Sequence, residues 1–145
     1  MSKLRGSREV FREALRLYPP VTMMVREAMC PEQFRGRDVK AGAQIVISPW
    51  HLHRQERLWD NPDGFDPGRW QTENGQKCQR EAYLPFSAGP RVCPGAGFAM
   101  IEGPLILSRL LRDYRIESIA SKVPVPVAHL TVRSKDGIWL RLVRR

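Results

Sequence analysis

Turn signals follow one another between residues 60 and 95: Asn61-Pro62-Asp63-Gly64, then Asp66-Pro67-Gly68, then Asn74-Gly75. This segment constrains the fold more than any other. A stretch of that length read as having no helix or strand is uncommon inside a compact domain unless it serves a function. It ends in Phe86-Ser87-Ala88-Gly89-Pro90-Arg91-Val92-Cys93-Pro94-Gly95-Ala96-Gly97, a loop running into an apolar, helix-like stretch. Whatever forms around residues 60–95 must hold that loop in place.

The physics of the loop can be read directly. Cys93 lies just before the predicted helix, where free N–H groups and the positive dipole end favour a thiolate. Arg91 adds positive charge two residues earlier. Gly89, Gly95 and Gly97 let the backbone approach something flat and bulky. Such a sulfur suits binding a metal or attacking an electrophile. A lone cysteine is otherwise read as a small buried residue in a turn. Cys30 and Cys78 bring the count to three with no CxxC spacing, which argues against a disulfide framework and a structural zinc site.

Flanking segments have recognisable periods. Val10, Phe11, Ala14, Leu15 and Leu17 repeat at helical spacing, with Ser7 as the expected N-cap and Pro19-Pro20 as the stop. Val21 to Arg26 and residues 44–47 read as strands of a small meander with a turn at Arg35-Gly36-Arg37. A short helix is expected at 49–54. A second long helix is predicted over 97–112, with Phe98, Ile101, Leu105 and Leu110 on one side and a kink at Pro104. The tail reads as a hairpin of 130–132 and 138–140 around Lys135-Asp136-Gly137. No domain boundary is evident in residues 1–145.

Bulk properties exclude little. The 145 residues carry 24 Lys and Arg against 15 Asp and Glu, a net charge of +9. Nucleic-acid binding is the first reading of such a balance. The charges are spread along the chain, with no basic arm and no interleaved aromatics. A solvated surface, or a docking face for an acidic protein, fits better. The first residues hold no apolar leader and no run is long enough to span a membrane, so a reduced, cytoplasmic setting is expected. His51 and His53 lack a nearby third ligand and are discounted as a metal pair.

The loop resembles the haem-binding signature of the cytochrome P450 family, F-x-x-G-x-R-x-C-x-G, at every specified position. Ala99 and Glu102 stand at the family's usual offsets after the cysteine. Glu13-Ala14-Leu15-Arg16 resembles the family's E-x-x-R. Phe65-Asp66-Pro67-Gly68-Arg69-Trp70 resembles its F-x-P-x-R-F/W segment, with Gly68 where an acidic residue is frequent.

The resemblance implies an α+β piece of a mainly-α fold, with two main helices, a small β meander, a C-terminal hairpin and a long irregular loop before the haem cysteine. It implies haem b held by Cys93, with Arg91 on a propionate, Phe86 beside the sulfur and Gly95 in the signature. Arg26 stands where a second propionate ligand is often found. Glu13, Arg16 and Arg69 are expected to form a buried triad. Val21, Thr22, Met23, Met24 and Val25 are expected to lie over the haem and touch substrate. The implied reaction inserts one oxygen atom of O2 into a hydrophobic small molecule. Electrons would come from NAD(P)H through a ferredoxin, flavodoxin or flavin reductase. Family members are much longer, so the chain resembles only their C-terminal portion. It could therefore serve as a non-catalytic haem binder, and turnover by the chain alone is not expected.

Overall fold

The computed structural model describes residues 4–145. Residues 1–3, part of the start on which the absence of a leader was read, lie outside the described residues. Among the described residues no helix is long and apolar enough to cross a membrane.

Helix α1 (Arg5–Leu17) presents Leu15 and Leu17 inward, together with Glu13 and Arg16. It starts two residues before the expected cap. Leu4 occupies the N-cap without a side-chain hydrogen bond. Arg5 instead pairs with Glu9 at 3.0 Å, an i,i+4 contact that extends the first turn past Ser7.

The meander follows. Strand β1 (Met24–Glu27) pairs antiparallel with β4 (Gln44–Ile47), Met24 opposite Ile47. Between them β2 (Glu32–Phe34) and β3 (Arg37–Val39) form a separate hairpin. Its turn uses Arg35 and Gly36, both at positive φ, as a tight two-residue connection requires. Helix α2 (Pro49–Leu52) is capped by Ser48, whose side chain accepts from His51 N–H.

Residues 60–95 are more regular than the turn signals imply. A 3-10 turn spans Pro67–Gln71 and helix α3 spans Glu73–Glu81. Asn74-Gly75 is not a turn but the first turn of α3. Thr72 caps the helix by accepting from Gly75 N–H at 3.0 Å, and Glu73 favours its positive end. The Asn74 side chain donates to Leu58 O. Gly75 is needed for space, because a Cβ there would overlap the Arg69 carbonyl.

This region builds the core. Trp59, Trp70, Cys78 and Ala82 cluster, with Leu52, Leu58 and Tyr83 packed on them. Trp59 meets Trp70 edge-on at 5.9 Å and Trp70 meets Tyr83 at 4.9 Å. Cys78 donates to Leu58 O at 3.0 Å, and burial pushes its thiol up.

Helix α4 (Ala96–Asp113) contains Pro104, its one buried residue, and packs on α1 where Gly103 leaves room for the Phe11 ring. Phe98, Ile101, Leu105 and Leu110 are exposed rather than core, Phe98 at 67%. The tail also departs from the expected hairpin. Strand β7 (Val132–Ser134) pairs with β6 (Pro126–Ala128), while β8 (Leu140–Arg144) returns to β5 (Tyr114–Ser118). The Lys135-Asp136-Gly137 segment redirects the chain between two sheets. Gly137 has positive φ, and the Ser134 hydroxyl and Trp139 indole N–H close the bend by donating to backbone oxygens of Gly137 and Asp136.

Candidate functional site

The cysteine loop is closed by its own backbone. Cys93 N–H donates to Phe86 O at 2.9 Å, and Val92 N–H to Gly89 O at 3.0 Å. Ser87 and Gly89 adopt positive φ within a few residues of each other. For serine that is a strained conformation held by the surrounding structure. Cys93 O then accepts from Ala96 N–H and Gly95 O from Ala99 N–H, which starts α4 immediately after the sulfur. A Cβ on Gly95 would stand 3.7 Å from the Cys93 Sγ. Cys93 is a free, exposed thiol.

A groove of about 440 Å³ opens beside this sulfur. Phe86, Arg91 and Cys93 line it from the loop, and Val21, Met23, Met24 and Arg26 line it from the segment after α1. Arg26 reaches across and donates to the Ser87 hydroxyl at 2.9 Å. Two arginines and one thiol therefore meet an otherwise apolar concavity. Thr22 and Val25 do not join the lining. Thr22 turns to a separate hollow shared with Trp50 and Pro126, and Val25 is exposed. Val25 lies between Met24 and Arg26 in β1, where successive side chains point to opposite faces.

Behind the groove, Glu13, Arg16 and Arg69 meet at 0%, 0% and 4% exposure. Arg16 contacts both Glu13 oxygens at 2.8 and 3.0 Å, and Arg69 Nε contacts Glu13 Oε1 at 3.0 Å. Both guanidiniums spend their remaining donors on backbone carbonyls of the turn-rich segment. Arg16 takes His53, Pro62 and Gly64, while Arg69 takes Asp60, Asn61 and Gly64. The Asp66 N–H adds a further donor to Glu13. One carboxylate and two cations thus tie α1 to residues 60–69 through charge-assisted bonds. Gly68 in place of an acidic residue leaves this intact, with Asp66 Oδ1 accepting from Gly68 N–H at 2.8 Å.

The sequence reading missed His53. It is fully buried, with Nδ1 at 3.0 Å from Arg16 O and Nε2 accepting from Leu84 N–H at 2.8 Å. Its ring meets Trp59 edge-on at 6.3 Å and lies tilted against Tyr83 at 5.4 Å. Burial lowers its pKa from 6.5 to about 4, helped by the Arg16 and Arg54 charges. Its i,i+2 relation to His51 had suggested only a metal pair. Among the described residues no cluster of His, Cys, Asp and Glu could hold a metal ion on its own.

The cytochrome P450 family model matches residues 1–140. The chain belongs to the cytochrome P450 family. Human cytochrome P450 4V2 is 40% identical over 146 residues, an alignment covering 100% of this chain and 28% of that protein. A probable cytochrome P450 4aa1 of Drosophila melanogaster is 35% identical over all of this chain and 29% of its own length. Among solved structures, the haem domain of cytochrome P450DA superposes with a TM-score of 0.84 at 31% identity, covering 94% of this chain and 30% of that one. The retinoic acid-bound cyanobacterial CYP120A1 superposes with a TM-score of 0.88 at 28% identity, covering 94% and 32%. The fold is therefore the mixed α and β part of a P450 haem domain. The chain spans under a third of the length of these curated relatives.

The groove fits the family's cofactor. A free thiol at a helix start, two arginines for carboxylates and apolar walls match iron, propionates and a macrocycle.

Proposed function

We propose that the chain binds haem b with Cys93 as its thiolate ligand, as the cysteine-ligand part of a monooxygenase that places one oxygen atom of O2 into a hydrophobic small molecule. The observation that carries this reading is the convergence of Cys93, Arg91, Arg26 and Phe86 on one apolar groove. Haem, when bound, supplies the redox and oxygen chemistry.

The chain's own residues have distinct tasks. Cys93 would hold the haem iron through its sulfur, and its N–H···O bond to Phe86 fixes the backbone that carries that sulfur. Phe86 lines the groove beside the sulfur. Arg91 and Arg26 would neutralise the two propionates, and Arg26 is already oriented by Ser87. Val21, Met23 and Met24 give a soft apolar surface for substrate. Electrons would arrive from NAD(P)H through a ferredoxin, flavodoxin or flavin reductase. The +9 charge favours an acidic partner by long-range attraction.

The test is the difference spectrum of the reduced, CO-treated protein. Cys93→Ser abolishes the thiolate-type band, whereas Cys30→Ser and Cys78→Ser keep it. A thiolate-type band from Cys93→Ser would overturn the assignment.

A further inference from the structure

His53 lines no part of the groove, yet its ring joins the segment leading into the cysteine loop to the Glu13 cluster. Arg16 Nη1 donates to His53 O at 2.8 Å, and the His53 ring answers with Nδ1–H on Arg16 O at 3.0 Å. A carbonyl can only accept, so Nδ1 carries the proton and Nε2 is left with its lone pair. That lone pair accepts from Leu84 N–H at 2.8 Å. Leu84 is followed by Pro85 and by Phe86, whose carbonyl holds Cys93 N–H. A continuous path therefore runs from the buried ion network, through one imidazole, to the backbone of the cysteine loop.

We propose that His53, as the neutral Nδ1–H tautomer, is a positioning residue that anchors the haem-cysteine loop to the Glu13–Arg16–Arg69 network through the Leu84 amide. The haem consequence rests on the cofactor reading above, but the anchoring itself does not.

The surroundings enforce the neutral form. Arg16 and Glu13 face the ring from α1, and Arg54 lies on its own segment with Asp63 beyond it at 3.7 Å. Tyr83 covers it from the end of α3, at 5.4 Å between ring centroids. Burial pushes the Tyr83 phenol up, so Tyr83 is neutral too. Glu13 is already shared between Arg16 and Arg69, which leaves no free anion to stabilise an imidazolium. A second proton would turn Nε2 into a donor facing the Leu84 N–H, and the anchor would open.

Two substitutions separate the ring's two jobs. Gln places its amide at the ε position, where its oxygen can still accept from Leu84. Asn ends at the δ position, where it can donate to Arg16 O but cannot reach Leu84. The readouts are amide exchange at Leu84 in the haem-free 145-residue chain and the thiolate-type CO spectrum after haem addition. In His53→Asn the Leu84 amide exchanges about tenfold faster than in His53→Gln, as expected for one lost buried hydrogen bond. His53→Asn also loses thiolate-type signal that His53→Gln retains. In the unsubstituted chain, protection at Leu84 falls in a step near pH 4 that His53→Gln lacks. Equal exchange and equal spectra in the two variants would overturn the proposal, as would an unsubstituted chain without the acid step. If both variants fail to fold, the pH series on the unsubstituted chain decides alone. An unsubstituted chain with no thiolate-type spectrum but a protected, acid-labile Leu84 amide would sink the haem reading and leave the anchor standing.

Discussion

Arg16→Lys keeps the charge and removes the fork, and the structure says what that costs. Arg16 has five N–H donors, and five acceptors receive them: both Glu13 oxygens and the carbonyls of His53, Pro62 and Gly64. A lysine ammonium offers three donors. At best it keeps the Glu13 contact and two carbonyls, so two of the five bonds have no donor. Gly64 O and Glu13 Oε1 keep Arg69 as a donor, so the cost is that of the lost bonds themselves: at about 1.5–3 kcal/mol for each hydrogen bond to a charged group, about 3–6 kcal/mol. The guanidinium also lies over the Trp59 ring at 5.4 Å, a contact the ammonium would weaken. Against a typical domain stability of about 5–15 kcal/mol, this is a large fraction of the total. The assay is urea denaturation followed by tryptophan fluorescence, since Trp59 and Trp70 sit in the core beside the network. The midpoint should fall with the slope unchanged. Glu13→Ala belongs to the same series and should cost about 3–5 kcal/mol, because it leaves buried cations unpaired. A loss under about 1 kcal/mol for Arg16→Lys would refute the reasoning, since charge alone would then account for the site.

Acid should destabilise the fold through His53. Its folded pKa of about 4 lies below the ordinary 6.5, so the unfolded chain binds more protons between those values and stability falls as pH drops through that window. The full shift corresponds to about 3 kcal/mol, present above pH 6.5, and His53→Gln should flatten this part of a stability-against-pH curve. Gly75→Ala should destabilise by about 1–3 kcal/mol despite the better helix propensity of alanine, because the new Cβ overlaps the Arg69 carbonyl; thermal melts would reveal a neutral or stabilising outcome if that reasoning is wrong.

What could be read from the sequence depended on whether the signal was local. The helical repeat of Val10, Leu15 and Leu17 and the chain of signals in the cysteine loop are local, and α1, the loop and α4 lie where those patterns put them. Helix α3 was hidden because Asn74-Gly75 carries the composition of a turn. Only the tertiary facts, a Thr72 cap and a carbonyl where a Cβ would stand, show why glycine begins a helix there. The tail was misread for the opposite reason. Residues 138–140 looked like the partner of a neighbouring strand, yet β8 pairs with β5, across a chain separation that no short-range pattern records. His53 could not be found from spacing either. Its role depends on Arg16 and Leu84, each more than thirty residues away.

The burial pattern divides the molecule into a frame and a face, and the division has a thermodynamic consequence. Glu13, Arg16, His53 and Arg69 are sealed and hydrogen-bonded, with Trp59 and Trp70 buried beside them, whereas Met23, Val25, Phe98 and the Cys93 thiol are open. The frame's geometry is over-determined by hydrogen bonds. The face has few partners of its own: Arg26 on Ser87 ties it within itself, and Leu84 takes its position from the frame. A ligand that fills the groove would bury apolar surface on the face and bind only the arrangement the frame imposes. It would therefore stabilise loop and frame together, in proportion to the logarithm of its free concentration over its dissociation constant. Weakening the frame would correspondingly lower affinity at the face without touching a residue that contacts the ligand. Glu13, Arg16 and Arg69 would thus act on cofactor binding through His53 and Leu84, by limiting how far Phe86 and Cys93 can move.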